Sequence, residues 1–122
     1  MKGIFFDTYA FFEVLNGNQN FQKYMSDSAI YTTKLNLMEL HYGLIKTYGQ
    51  EVADKLYDEN LKYVTRIDNA AFKSANVMRY RLRAKRLSYI DCVGYMVSLI
   101  KGIPFLTGDI QFKGLKNVEF VR

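Results

Sequence analysis

Four carboxylates, Asp7, Glu39, Asp91 and Asp109, stand where a chain of alternating strands and helices would gather them. Asp7 ends the apolar run Gly3-Ile4-Phe5-Phe6, and Asp109 follows Ile103-Pro104-Phe105-Leu106-Thr107-Gly108. Asp91 lies in the first turn of an apolar helical stretch, and Glu39 near the start of another. Carboxylates held together without cationic partners raise one another's pKa. A hard cation relieves the repulsion. Mg²⁺ and Mn²⁺ prefer oxygen ligands, and Mg²⁺ keeps several waters while taking only a few carboxylates. Such an ion lowers the pKa of a bound water and bridges a phosphate oxygen, and two ions ~3.5–4 Å apart clamp both sides of an in-line displacement. Acids at one rim with Arg and Lys nearby therefore point to metal-dependent phosphodiester chemistry. Taken alone, Asp7 reads as a helix N-cap before Thr8, as a functional acid, or as both.

Other chemistries lack their residues. The one histidine, His41, rules out a two-histidine, metal-free nuclease and reads as an ordinary helix-surface residue. Cys92 has no plausible catalytic partner, cannot form an internal disulfide, and is expected to be buried beside Asp91. No GxxxxGK[ST] phosphate loop and no CxxC or HExxH zinc pattern occurs.

The elements that must position the acids follow from hydrophobic spacing. Ile4-Phe5-Phe6 suits a strand buried on both faces, as in the middle of a parallel sheet, where ligands gather at the carboxyl ends of strands. Helices are expected over residues 8–16 and 20–26, with a strand at Ala29-Ile30-Tyr31-Thr32. A helix over 33–48 is expected to bury Leu35, Met38, Tyr42 and Ile45, with Thr33 and Asn36 at its cap and Gly49 at its end. Another helix, 50–60, places Val52, Leu56 and Leu61 on one stripe, and Tyr63-Val64-Thr65-Arg66-Ile67 reads as a third strand.

A long amphipathic helix over 69–86 carries Ala71, Ala75, Met78 and Leu82 inward. Its second half holds five basic residues in eight, with Arg79, Arg83 and Arg86 expected on one face. Cations suit a helix C-terminus anyway, so this run is either a solvated end or a phosphate-binding patch. Ser88-Tyr89-Ile90-Asp91 is a capping-box pattern opening a helix that runs to Lys101 and is apolar on nearly all sides. Gly94 inside it implies close packing. Ile103–Thr107 and Val118–Val121 complete the strands, the last free to pair either way because residues 108–117 are short for a parallel crossover. The alternation predicts a three-layer α/β fold in a single domain, 1–122.

Composition agrees with that class. The 122 residues are 49% hydrophobic and 24% charged, suited to one core. No apolar run approaches the ~20 residues of a membrane span, and with no signal peptide at its start the chain reads as cytoplasmic. The net charge of +5 leans towards anionic partners.

In order and spacing, Asp7-Thr8, Met38-Glu39-Leu40, Ser88-Tyr89-Ile90-Asp91 and Leu106-Thr107-Gly108-Asp109-Ile110-Gln111-Phe112 resemble the PIN domain, in particular its small single-domain VapC-type toxins. The resemblance spans essentially the whole chain. It implies a parallel sheet of about five strands in the order 3-2-1-4-5, flanked by helices. It also implies an Mg²⁺- or Mn²⁺-dependent endoribonuclease, the toxin of a type II toxin–antitoxin pair. Asp7 and Asp91 would be the principal metal ligands. Glu39 and Asp109 would bind metal directly or through water and orient the attacking water. Thr8 and Thr107 match hydroxyl positions beside the site, which Ser88 would also support. Apart from the resemblance, if the basic run is a phosphate-binding patch, Arg79, Arg83 and Arg86 would contact nucleic acid. The implied partners are an RNA substrate, a small antitoxin protein and a second copy of the chain, without a membrane. The region from Asn16 to Ser28 is shorter than the family pattern and leaves substrate choice open.

Two other readings remain at this stage: a catalytically silent PIN-like module binding RNA or protein through the basic helix, and a receiver-like phosphoacceptor domain. The latter wants a lysine after the last strand, where this chain has Arg122.

Overall fold

The structure, a computed structural model, describes residues 1–122. Strand β1 (Gly3–Phe6) runs into α1 (Thr8–Leu15) and α2 (Gln19–Asp27), and β2 (Ala29–Tyr31) leads to α3 (Lys34–Tyr48) and α4 (Gln50–Asn60). Helices α5 (Asn69–Arg81) and α6 (Tyr89–Lys101) follow, then β3 (Phe105–Thr107) and β4 (Val118–Phe120). All strand pairings are parallel, in the order β2-β1-β3-β4. The three-layer α/β reading holds, with β1 inside the sheet.

Strand periodicity divides the core between the two faces. Ile4 and Phe6 point into one cluster with Phe11, Phe21, Leu37, Leu40 and Leu44, so α1 to α4 cover that face. Phe5 points the other way, into a cluster with Ala71, Ala75, Met78, Val93, Tyr95 and Phe105 from α5, α6 and β3. The Phe5 and Phe105 rings stack with centroids 5.4 Å apart, at the position where β1 and β3 are in register. A Cβ on Gly94 would lie 3.1 Å from the Phe5 ring and 3.3 Å from Asn36 Oδ1, so α6 approaches the sheet as closely as its glycine implies.

Several expectations need correcting. The five-strand sheet has four strands. Tyr63 belongs to a short 3-10 turn, Leu61–Tyr63, and Val64 makes only an isolated parallel bridge to Thr32. The chain leaves β2 at Thr33, which caps α3, so Arg66 and Ile67 find no strand beside them. The order of the remaining strands is the one expected, and β4, whose pairing was open, is parallel to β3.

Helix α3 buries Leu37, Leu40 and Leu44, whereas Met38 is 56% and Tyr42 64% exposed and Ile45 also lies outward. The helix carries two stripes at helical spacing, and the buried cap pair Thr33–Asn36 turns the other one inward. In α4 the inward side is Ala53 with Leu56 and Tyr57, while Val52 and Leu61 are exposed.

Helix α5 stops at Arg81, five residues short of the expected end. Continuing it would stack Arg79 on Arg83 and Arg81 on Lys85 at i,i+4, an unfavourable like-charge spacing. Arg79, Arg83 and Arg86 therefore do not share a helical face: the last two lie in the turn between α5 and α6. No helix is long and apolar enough to cross a membrane.

Candidate active site: an acid-lined cleft at the sheet rim

Each acid reaches the site by a different local device. Asp7 occupies the N-cap position of α1 but makes no side-chain cap hydrogen bond. Its Oδ2 instead accepts from Thr107 Oγ1 at 2.8 Å, from the end of the neighbouring strand. The same hydroxyl accepts from the Asp109 backbone N–H at 3.0 Å. Asp109 in turn caps the short 3-10 turn Ile110–Phe112, its Oδ1 accepting from Gln111 N at 3.0 Å.

Asp91 is fixed by a complete capping box: Ser88 Oγ accepts from Asp91 N at 3.0 Å and Asp91 Oδ2 accepts from Ser88 N at 2.8 Å. The turn after α5 delivers Ser88 and Asp91 to the same cleft as Asp7. Glu39, in the second turn of α3, is half-buried, with the exposed Met38 beside it.

Asp7, Glu39, Asp91 and Asp109 line one cleft of about 320 Å³ together with Thr8, Ser88, Tyr9 and Phe12. Thr107 is fully buried behind it, linking Asp7 to Asp109. The expected acids and hydroxyls thus come together, and none of the basic residues Arg79, Arg83 and Arg86 lines the cleft.

Asp7 is only 3% exposed. Burial above all, then the charges of Asp91 and Glu39, push its pKa up to about 8, against the opposing hydrogen bond from Thr107. Asp91 is also raised, first by burial and then by Glu39 and Asp109, while its Ser88 hydrogen bonds pull the other way. Neither ion pair of the chain, His41–Asp54 at 2.7 Å and Arg66–Asp68 at 3.0 Å, involves any of these four acids. The carboxylates thus repel one another with no side-chain cation to neutralise them.

An all-oxygen, mutually repelling donor set fits a hard divalent cation. No three His, Cys, Asp or Glu side chains are gathered tightly enough to enclose an ion by themselves. That spacing is compatible with Mg²⁺, which retains waters and takes one or two carboxylates directly.

The supporting roles of three residues escaped the sequence reading. Asn36, fully buried, donates from Nδ2 to Thr8 Oγ1 at 3.1 Å, tying α3 to the residue after Asp7. Gln111 holds the basic turn against the Asp109 segment: its carbonyl accepts from Lys85 Nζ at 3.2 Å, and its Oε1 from Arg86 N at 3.2 Å. Tyr9 forms part of the cleft wall, packed between Phe21 and the Gly108 backbone, where a Cβ would lie 2.5 Å from its ring. In sequence Asn36 was visible only as a cap candidate beside Thr33, and Gln111 only as a polar residue two positions after a strand-end acid.

The two bland assignments hold. Cys92 is buried, its thiol pushed up to about 11 mainly by burial. His41 pairs with Asp54 on the helix surface.

No curated protein matches the chain. Among solved structures the fold is similar to VapC20 of Mycobacterium tuberculosis, a Sarcin-Ricin loop cleaving toxin, at 20% identity and a TM-score of 0.75, covering 94% of this chain and 98% of that one. It is similar to DNA-bound VapBC of Salmonella typhimurium at 16% identity and a TM-score of 0.76, covering 99% and 98%. A toxin–antitoxin complex of Klebsiella pneumoniae aligns at 14% identity and a TM-score of 0.72, covering 94% of each chain. A family model for the PIN domain matches residues 4–118. With that match over nearly its whole length, and with the fold of these structures, the chain belongs to the PIN domain family.

Proposed function

We propose that the protein is a divalent-metal-dependent endoribonuclease and the toxin of a toxin–antitoxin pair. One observation carries the reading: a buried Asp7 shares a cleft with Glu39, Asp91 and Asp109, and no side-chain cation pairs with any of the four. A structural acid cluster would be expected to recruit an Arg or Lys from a chain that has 17 of them. This one leaves its charge for a ligand.

In the proposed reaction a water oxygen bonds to phosphorus as one bridging P–O bond of the RNA backbone breaks. Asp7 and Asp91 are assigned as the principal ligands of Mg²⁺ or Mn²⁺, with Glu39 and Asp109 completing the set directly or through water. The bound cation would neutralise the phosphate and acidify a water. The chain's own contribution is orientation. Thr107 fixes Asp7, the Ser88 capping box fixes Asp91, and the Gln111 N–H fixes Asp109. Glu39 makes no side-chain hydrogen bond to the protein and is placed to orient the attacking water. Burial of Asp7 keeps competing solvent from its inner side.

Structural neighbours that are toxin–antitoxin complexes support a small antitoxin as partner. A dimer of this chain is part of the same proposal. The substitution Asp91→Asn tests the reading: it keeps the Ser88 hydrogen bonds possible and removes the charge. The folded variant should lose RNA cleavage by at least ~100-fold, and cleavage at the wild-type rate would refute the site.

A further inference from the structure

Beside the acids the structure holds a second preorganised feature, a guanidinium stacked on an exposed tyrosine. Tyr89 is the first residue of α6, next to Ser88 of the cleft wall and in the same turn as Asp91. Its ring is 60% exposed. The Arg79 guanidinium lies over the ring, 4.1 Å from its centroid. Arg79 is not free to swing, because its Nε donates to the Leu87 carbonyl at 3.1 Å. A second stack, Arg83 over Tyr80 at 4.5 Å, follows on the same α5–α6 connection, with Arg83 Nη1 tied to the Tyr80 carbonyl at 2.9 Å.

Tyrosines that serve the core bury their rings. This one instead presents a ring backed by a pinned cation, one residue from an acid-lined cleft. Aromatic faces interleaved with cations are how proteins hold single-stranded nucleic acid, because every base has a face to stack and every nucleotide a phosphate to neutralise. A base inside a duplex has both faces covered by its neighbours and cannot use such a shelf.

We infer that the Arg79–Tyr89 stack is the base-binding shelf of the proposed nuclease, receiving an unpaired base next to the scissile phosphate. The inference rests on the nuclease reading. Tyr89 supplies the ring face, and Arg79 fixes that ring while offering its charge to the adjoining phosphate.

The test uses a short single-stranded oligoribonucleotide carrying one 2-aminopurine, titrated in chelator with the wild type, Tyr89→Phe and Tyr89→Ala. Stacking quenches the fluorescence. Wild type and Tyr89→Phe should quench alike. Tyr89→Ala should bind ~5- to 150-fold more weakly, the factor equivalent to ~1–3 kcal/mol of base–aromatic stacking, with the slope of log affinity against log salt unchanged because no charge is lost. Quenching and affinity in Tyr89→Ala equal to wild type would overturn the shelf, as would a Tyr89→Phe variant as weak as Tyr89→Ala.

Cleavage of loop and duplex RNA by the same preparations, with Mn²⁺ or Mg²⁺ added, separates the two ideas. Cleavage without Tyr89-dependent quenching sinks the shelf and leaves the nuclease. Tyr89-dependent quenching without cleavage under either metal sinks the nuclease and leaves a single-strand binding site.

Discussion

Thr107 donates its hydroxyl hydrogen to Asp7 across 2.8 Å, joining residues 100 positions apart in sequence. The same oxygen receives the Asp109 N–H at 3.0 Å, so one buried hydroxyl sets the spacing of two acids on adjacent strand ends. Thr107→Val keeps the shape and removes both bonds. We expect a loss of ~1–3 kcal/mol in stability from the unpaired Asp109 N–H and Asp7 oxygen, and a ~10- to 100-fold loss of RNA cleavage, as for other groups that orient metal ligands. Denaturant unfolding and initial cleavage rates check the two effects separately.

Burial of Asp7 makes stability depend on pH. Its folded pKa, about 8, lies above the ordinary value of 3.8. A carboxyl raised in this way gives its full contribution below the unfolded pKa, and that contribution fades as pH rises through about 8. Asp91, raised in the same direction, adds to the trend. In chelator, the wild type should therefore lose stability between pH 5 and pH 8.5, as the acids become charged together. Asp7→Asn cannot ionise, so at pH 8.5 it should be more stable than the wild type by ~1 kcal/mol or more, with the difference closing near pH 5. Thermal unfolding of both proteins at the two pH values measures this.

Gly94 sits where α6 crosses the sheet, with Phe5 and Asn36 against it. Gly94→Ala gains helix propensity of ~1 kcal/mol but forces its Cβ to 3.1 Å from the Phe5 ring. Because Phe5 is fully buried and stacked on Phe105, it has little room to retreat. A net destabilisation of ~1–3 kcal/mol is expected from overpacking, readable as a lower urea midpoint at unchanged slope.

The basic turn after α5 is held by Gln111 through Lys85 and Arg86. Arg83, exposed and tied only to Tyr80, is the residue there most available to a phosphate. Arg83→Ala should weaken RNA binding and lower the salt slope by about one. Gln111→Leu, which changes no charge, should weaken binding while leaving the slope nearly intact. Affinities measured across a salt series distinguish the two.

Local signals made much of the fold legible from sequence. The run Ile4-Phe5-Phe6 marked β1, and Ser88 with Asp91 marked the start of α6, because a strand buried on both faces and a capping box depend on neighbouring residues alone. Four acids at strand ends and helix starts marked the cleft, since the parallel order brings those ends to one rim. What failed was decided at a distance. Tyr63–Ile67 has strand-forming residues but only a single bridge to Thr32, because β2 ends at Tyr31 and Thr33 already caps α3. The buried side of α3 could not be chosen from periodicity when both Leu35-Met38-Tyr42-Ile45 and Leu37-Leu40-Leu44 repeat helically. The end of α5 depends on repulsion along Arg79–Arg86 and on Arg79 finding the Leu87 carbonyl. Asn36 and Gln111 act through partners 28 and 25–26 positions away, which spacing does not announce.

The central claim is that four carboxylates without cationic partners form a metal-dependent RNA-cleaving site. Its most direct measurement is incubation of the purified protein and of Asp7→Asn with total cellular RNA, with Mn²⁺, with Mg²⁺ and with chelator. Discrete RNA fragments should appear with wild type and metal, and be absent with chelator and with Asp7→Asn. Fragments of equal yield in chelator, or from folded Asp7→Asn, would contradict it.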